Sequence, residues 1–133
     1  MNVTLDTNVL VRLATQDDPA QAAAALRVLQ KASLIAVPTV ALGEMVWVLL
    51  RGYRCTSAQV AHAVNTLQQV RQVVCHASSV LAGLALLENG GDFANGVIAF
   101  EGSLLGDTEF VSFDQQAIKL LKVQKRKMRL LES

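Results

Sequence analysis

Short apolar runs that stop at a polar residue alternate along this chain with longer stretches of helical periodicity, and that alternation leaves few folds open. Asn2–Leu5, Leu34–Val37, Val73–His76 and Glu109–Phe113 read as strands, and Met128–Leu131 as a fifth. Helices are predicted between them. A short one runs over Val9–Leu13, and an alanine-rich one over Ala20–Lys31 follows Asp17-Asp18-Pro19. A very apolar helix starts from a Thr39 cap and reaches Leu50, with Gly52 behind it. Others run from Thr56-Ser57 to Gln69, from Ser78-Ser79 to Glu88, from Asp92 to Leu105, and from an Asp114 cap to Leu121. Strands joined through helices pair in parallel, and parallel strands are covered on both faces. The expected fold is α/β: one domain over residues 1–133, with a parallel sheet of about five short strands and helices on both faces.

Bulk properties narrow the function. At 133 residues the chain suffices for one core, and 52% hydrophobic against 17% charged residues exclude a disordered chain. The longest apolar run, Met45–Leu50, halts at Arg51, far short of the roughly 18 residues of a membrane span. No basic leader precedes an apolar stretch at the start, and Cys55 and Cys75 lack CxxC or metal-finger spacing, so a cytoplasmic protein is expected. No phosphate-cradling glycine loop and no GxSxG elbow is present. His62 and His76 have no partner at ligand spacing and read as structural or surface residues; Trp47 reads as core.

Charge is unevenly spread. Residues 117–133 hold six cations (Lys119, Lys122, Lys125, Arg126, Lys127, Arg129) against Glu132, a net of +5. The first 116 residues carry six cations and ten acids, a net of −4. An acidic body with a basic tail suits an anionic polymer held beside a metal site, and equally a solvated helix end.

Two aspartates stand where strands run out. Asp6 follows Val3-Thr4-Leu5 and Asp114 follows Phe110–Phe113. Ligands of open α/β sheets bind beyond the carboxyl ends of the strands. Each of the two also precedes a helix that an aspartate would cap, so each alone has two readings. Glu44 lies in Val40–Val48, a helix apolar nearly all round, where an unpaired carboxylate costs several kcal/mol unless Arg51, Arg54 or a metal satisfies it. It sits five residues after Thr39, not the three of a capping box. Asp92 and Asn95 are three apart at a helix start and share a face; Asp92 is equally an N-cap. Converging carboxylates repel by about 4 kcal/mol at 4 Å and an effective dielectric of 20, so a group of them needs protons or a cation. Oxygen-only ligands favour Mg²⁺ or Mn²⁺ over zinc, and such a metal activates water at a phosphodiester.

Leu5-Asp6-Thr7-Asn8-Val9-Leu10 resembles the opening motif of PIN-domain nucleases, and Val40–Leu50 around Glu44 their second acidic helix. Gly91-Asp92-Phe93-Ala94-Asn95-Gly96-Val97-Ile98-Ala99 resembles their third motif and Val111-Ser112-Phe113-Asp114 their fourth. The four come in order over essentially the whole chain and look most like VapC-type toxins of type II toxin–antitoxin modules. The resemblance implies a Mg²⁺- or Mn²⁺-dependent endoribonuclease cutting structured RNA such as tRNA. It implies metal held at Asp6, Asp114 and the Asn95 position, with Glu44 and Asp92 as further ligands or water-positioning groups and Thr7, Asn8 and Ser112 in support. It further implies a homodimer neutralised by a VapB-like antitoxin, or a toxin–antitoxin hetero-oligomer reaching operator DNA through the antitoxin. Lys119, Lys122, Lys125, Arg126 and Lys127 are expected to hold RNA.

The third motif departs from the pattern. The family's principal acid stands three residues before the Ile-Ala pair, and here Asn95 stands three before Ile98-Ala99. Asparagine keeps an oxygen but loses the charge and brings a donor, so weaker metal binding and reduced cleavage are expected. Natural degeneracy, compensation by Asp92 and an engineered Asp→Asn replacement all fit. A PIN-like protein that holds RNA or antitoxin without cutting is the second reading. Phosphoryl transfer is the third: a haloacid-dehalogenase-like phosphatase needs a second Asp where Asn8 stands, and a receiver domain needs a lysine after a late strand that Glu109–Phe113 does not offer.

Overall fold

The computed structural model describes residues 1–133 and contains seven helices and five strands, all paired in parallel. The chain forms two compact units, Met1–His76 and Ala77–Ser133. The strands divide with them: three form one sheet and two another, where a single sheet was expected. Strands of two or three residues offer few ladder bonds, and each set pairs only inside its own unit.

The first unit runs β1 (Asn2–Thr4), α1 (Thr7–Thr15), α2 (Pro19–Lys31), β2 (Leu34–Ala36), α3 (Thr39–Arg51), α4 (Ser57–Gln69) and β3 (Val73–Val74). The sheet order is β1-β2-β3, with Thr4 opposite Ala36 and Ala36 opposite Val74. Helix starts follow local chemistry. Asp18 accepts from the Gln21 amide ahead of Pro19, and Thr56 with Gln59 forms a complete capping box. Thr39 is the exception. The cap position falls on Pro38, which makes no side-chain cap bond, and Thr39 Oγ1 is buried without a partner. A proline holds the extended backbone that a cap position needs, so the cap falls one residue earlier than a Thr39 cap would place it.

Leu10, Ile35, Leu42, Met45, Val60 and Val64 are buried in this unit. Helix α3 presents Leu42, Met45, Val46 and Leu49 inward and leaves Val40, Glu44 and Trp47, spaced four and three apart, outside. Trp47 is 62% exposed, so it is not the core residue expected of so apolar a helix. One stripe of a helix suffices to pack on its neighbours, and hydrophobicity all round does not say which stripe that is.

The second unit runs α5 (Ala77–Leu87), α6 (Phe93–Leu105), β4 (Phe110–Ser112), α7 (Gln115–Val123) and β5 (Met128–Leu130). Phe110 pairs with Met128 and Ser112 with Leu130. Leu86, Ala99 and Leu121 form its centre, with Phe110 and Leu120 packed against them. Helices α5 and α6 approach closely because glycine stands at the crossing. A Cβ on Gly96 would run into the Ala82 carbonyl oxygen, and one on Gly83 into the Phe93 ring. Ser79, expected only to open α5, is buried and donates to Glu101 Oε2 at 2.8 Å. No helix is long and apolar enough to cross a membrane.

Candidate active site

In the first unit, β1 delivers Asp6 to the carboxyl end of the sheet. The Leu5 amide still bonds Ala36 O at 3.1 Å, so the ladder continues up to the residue before Asp6. Asp6 is an N-cap: its Oδ1 accepts from the Val9 amide at 3.1 Å. That occupies one oxygen and leaves Oδ2 without a protein donor, so capping and ligation are compatible on one exposed carboxylate. Thr7 and Asn8 are the first residues of α1, and Asp6 and Asn8 line a cavity of about 520 Å³ walled by Val3, Leu5, Gln21 and Val28.

Helix α3 begins at the same end of the sheet, because β2 is parallel to β1. Glu44 lies five residues beyond Thr39, about 7.5 Å along the axis at 1.5 Å per residue. It is exposed and pairs with neither Arg51 nor Arg54. The desolvation argument for Glu44 therefore lapses: its stripe of α3 meets solvent. Its candidacy rests on its place in the second motif.

In the second unit the start of α6 and the end of β4 bring Asn95 and Ser112 to Asp114, and Asp92 stands at the N-cap of α6. Asp114 caps α7 more firmly than Asp6 caps α1, since its Oδ1 accepts from both Gln116 N (3.0 Å) and Ala117 N (3.1 Å). Ser112 Oγ accepts from the Asp114 amide at 2.9 Å and fixes the turn that presents the carboxylate. Asn95 Nδ2 donates to Asp114 Oδ2 at 3.4 Å, a long bond to the oxygen that capping leaves over. Asp92 caps α6 through Oδ1, bonded by Ala94 N at 2.9 Å. Gln116, which the sequence did not mark, donates to Gly90 O at 2.8 Å and ties the loop before Asp92 to the start of α7. Glutamine after an aspartate carries no local signal for such a bond.

The three aspartates thus share one arrangement: one oxygen held by the helix it caps, the other left over. Within each unit such carboxylate oxygens suit a hard divalent cation. Three or more His, Cys, Asp or Glu side chains do not gather in either unit; the second unit supplies two carboxylates and an amide. The Asn95 amide is oriented by its bond to Asp114, and the reverse orientation would present oxygen.

The basic residues are placed differently. Lys125, Arg126 and Lys127 precede β5, whose first residue, Met128, pairs with Phe110 at the start of β4. Asp114 lies past the other end of β4, roughly 13 Å further at about 3.3 Å per residue. Lys119 and Lys122 are exposed on α7, with Lys119 about one turn from the Asp114 end.

A polar network missed in the sequence holds α1, which starts from Asp6. Tyr53 donates to Asp17 Oδ2 at 2.7 Å and Thr15 to Asp17 Oδ1 at 2.8 Å, while Arg12 reaches Asp17 at 3.1 Å and Gln21 at 2.6 Å. The Tyr53 and Thr15 hydroxyls, then Arg12, hold the Asp17 carboxyl below its ordinary range, and Tyr53 with Asp17 holds Arg12 above its own. His62 and His76 are exposed, as expected of structural or surface residues.

The sequence matches the PIN domain family over residues 3–120, a span that includes all four motifs. Curated proteins give no match. Among solved structures, a chain of VapBC2 from Rickettsia felis, crystallised bound to a DNA fragment from its promoter, is similar over 99% of this chain and 100% of that one. Identity is 13% and the TM-score 0.40, too loose a likeness to support an argument.

Proposed function

This chain belongs to the PIN domain family, and on that premise we propose that it is a toxin-type endoribonuclease that cuts structured RNA, tRNA being the favoured substrate. Proteins of this family are in general metal-dependent nucleases. Asp6, Asn95 and Asp114 are the proposed metal positions, with Glu44 and Asp92 as further ligands or water-positioning groups, for Mg²⁺ or Mn²⁺. When bound, the cation supplies an activated water and offsets charge on the phosphodiester. The observation that supports this reading best is the half-engaged state of Asp6, Asp92 and Asp114. Backbone amides hold each side chain through Oδ1; Oδ2 takes no amide, and on Asp114 it accepts only the long bond from Asn95, so the carboxylates are positioned before any ligand arrives. Ser112 and Gln116 are the proposed positioning residues around Asp114.

The proposed partners are a VapB-like antitoxin and a second copy of the chain, on the strength of the motif resemblance. The competing reading, a PIN-like protein that binds RNA or antitoxin without cutting, has one observation in its favour: the Asn95 amide already donates to Asp114 Oδ2, where an aspartate would add a charge to the site.

Cleavage of a labelled tRNA with Mg²⁺ or Mn²⁺ separates the two. Asn95→Asp is expected to raise the rate by at least about tenfold, since the added carboxylate restores a charged ligand. Asp6→Ala in that background is expected to abolish it. A silent Asn95→Asp protein that still binds the RNA would hand the case to the non-cleaving reading.

A further inference from the structure

The second unit contains a cavity of about 630 Å³ at the starting ends of β4 and β5, opposite the end that carries Asp114. Its walls include Ser103, Asp107, Thr108, Phe110, Gln124 and the run Lys125-Arg126-Lys127. Three cations against Asp107 leave a net of +2 on the lining (3 − 1). Lys127 is bound to Asp107 at 2.6 Å and Arg129, just beyond, pairs with Glu109. Lys125 and Arg126 form no ion pair.

Both are held in place by the backbone. Helix α7 ends with the Lys125 amide bonded to Lys122 O (3.0 Å) and the Arg126 amide to Leu121 O (3.2 Å), the paired bonds of a Schellman ending. That ending needs a left-handed residue, usually glycine, and here Lys125 adopts it at φ 60. A lysine thus stands in a conformation that disfavours side chains, at the mouth of a basic cavity. The Arg126 guanidinium lies over the Phe100 ring, 5.6 Å from its centroid, and is half-buried. A guanidinium held over an aromatic ring by a cation–π contact still has N–H donors available for an oxyanion. The Thr108 side chain and the Gln124 amide add neutral donors.

We propose that this cavity binds a phosphate group of a nucleic-acid backbone, away from the acidic site. The inference rests on the proposed RNA-directed function and adds to it an anchoring point beyond the reach of Asp114. Phosphate fits the chemistry: a pre-ordered guanidinium for bidentate contact, an ammonium beside it, and the Thr108 hydroxyl and Gln124 amide as neutral donors.

The test is binding of a fluorescent RNA hairpin in EDTA, so that cleavage does not intervene. Lys125→Gln/Arg126→Gln is expected to weaken affinity by about tenfold or more and to lower the salt slope by about 0.7–0.9 for each phosphate no longer neutralised. The control Lys119→Gln/Lys122→Gln removes the same charge from exposed positions on α7 and is expected to have the smaller effect. Equal losses in the two double variants would mean a diffuse basic field and overturn the site. Unchanged affinity in Lys125→Gln/Arg126→Gln, or no binding by the unaltered chain, would also overturn it. Inorganic phosphate or pyrophosphate that displaces the hairpin at concentrations where an unlabelled RNA strand of equal phosphate content does not would assign the site to free phosphate and overturn the backbone assignment. Thermal unfolding of each variant reports on folding, and Arg126→Lys, which keeps charge and loses the fork, is expected to recover only part of the affinity. Metal-dependent cleavage by Asn95→Asp with unchanged RNA affinity in Lys125→Gln/Arg126→Gln would remove the anchoring site alone. Site-dependent binding with no cleavage would remove the nuclease alone.

Discussion

Each aspartate of the candidate site does two things with its two oxygens, and substitutions can pull the two apart. Asp114→Ser keeps an oxygen for the cap and loses the charge; Asp114→Ala loses both. Asp114→Ala is expected to cost about 1 kcal/mol of folding stability relative to Asp114→Ser. In the Asn95→Asp background, both are expected to lose metal-dependent cleavage by about 100-fold or more. Urea unfolding and tRNA cleavage of the same two proteins check this. Cleavage surviving in Asp114→Ser would leave the cap as the residue's whole role. The caps themselves were legible, because Asp before a helical run has a local cause. The exposure of Glu44 was not legible for the opposite reason: its surroundings are set by which stripe of α3 packs, which is not a local property.

At the level of elements, helix starts and parallel pairing were readable within a residue or two, whereas close approaches were not. Gly96 belongs to a motif chosen for Asn95, and its own task, letting α6 meet the Ala82 carbonyl of α5, is visible only in the packed pair. Gly96→Ala is expected to destabilise by about 1–3 kcal/mol as the helices are forced apart, measurable as a lower urea midpoint. The same substitution at Gly43, where a Cβ meets nothing within 4 Å, is expected to stabilise by up to about 1 kcal/mol. The Asp17 network yields a pH signature. Its depressed pKa stabilises the fold above the ordinary carboxylate value of 3.8, and that contribution is lost as pH falls through the lower folded value. Tyr53→Phe removes the largest cause. Its stability deficit is expected at pH 7 and should narrow as the pH falls below 3.8. A deficit independent of pH would mean that Tyr53 acts through packing.

Across the whole molecule, charge and apolar surface carry the remaining information. The +5 tail divides on folding: Lys127 and Arg129 pair with Asp107 and Glu109, while Lys125 and Arg126 face a cavity remote from Asp114. Trp47, the chain's one tryptophan, is 62% exposed. Its emission in the free chain is expected to be readily quenched by a water-soluble quencher. Strong protection at concentrations where sedimentation shows a monomer would restore the core position that the sequence suggested.

The sequence by itself determined the α/β alternation, the aspartate caps, the order of the four motifs and the asparagine in the third. All of these rest on local backbone chemistry and on residue types counted along the chain. The tertiary structure decided how the strands divide, which face of α3 meets water, which oxygen of each aspartate is left over by its cap, and that the basic run precedes β5 instead of flanking Asp114. Those outcomes depend on which surfaces meet, and two residues far apart in the chain leave no periodic trace of their meeting in either stretch of sequence.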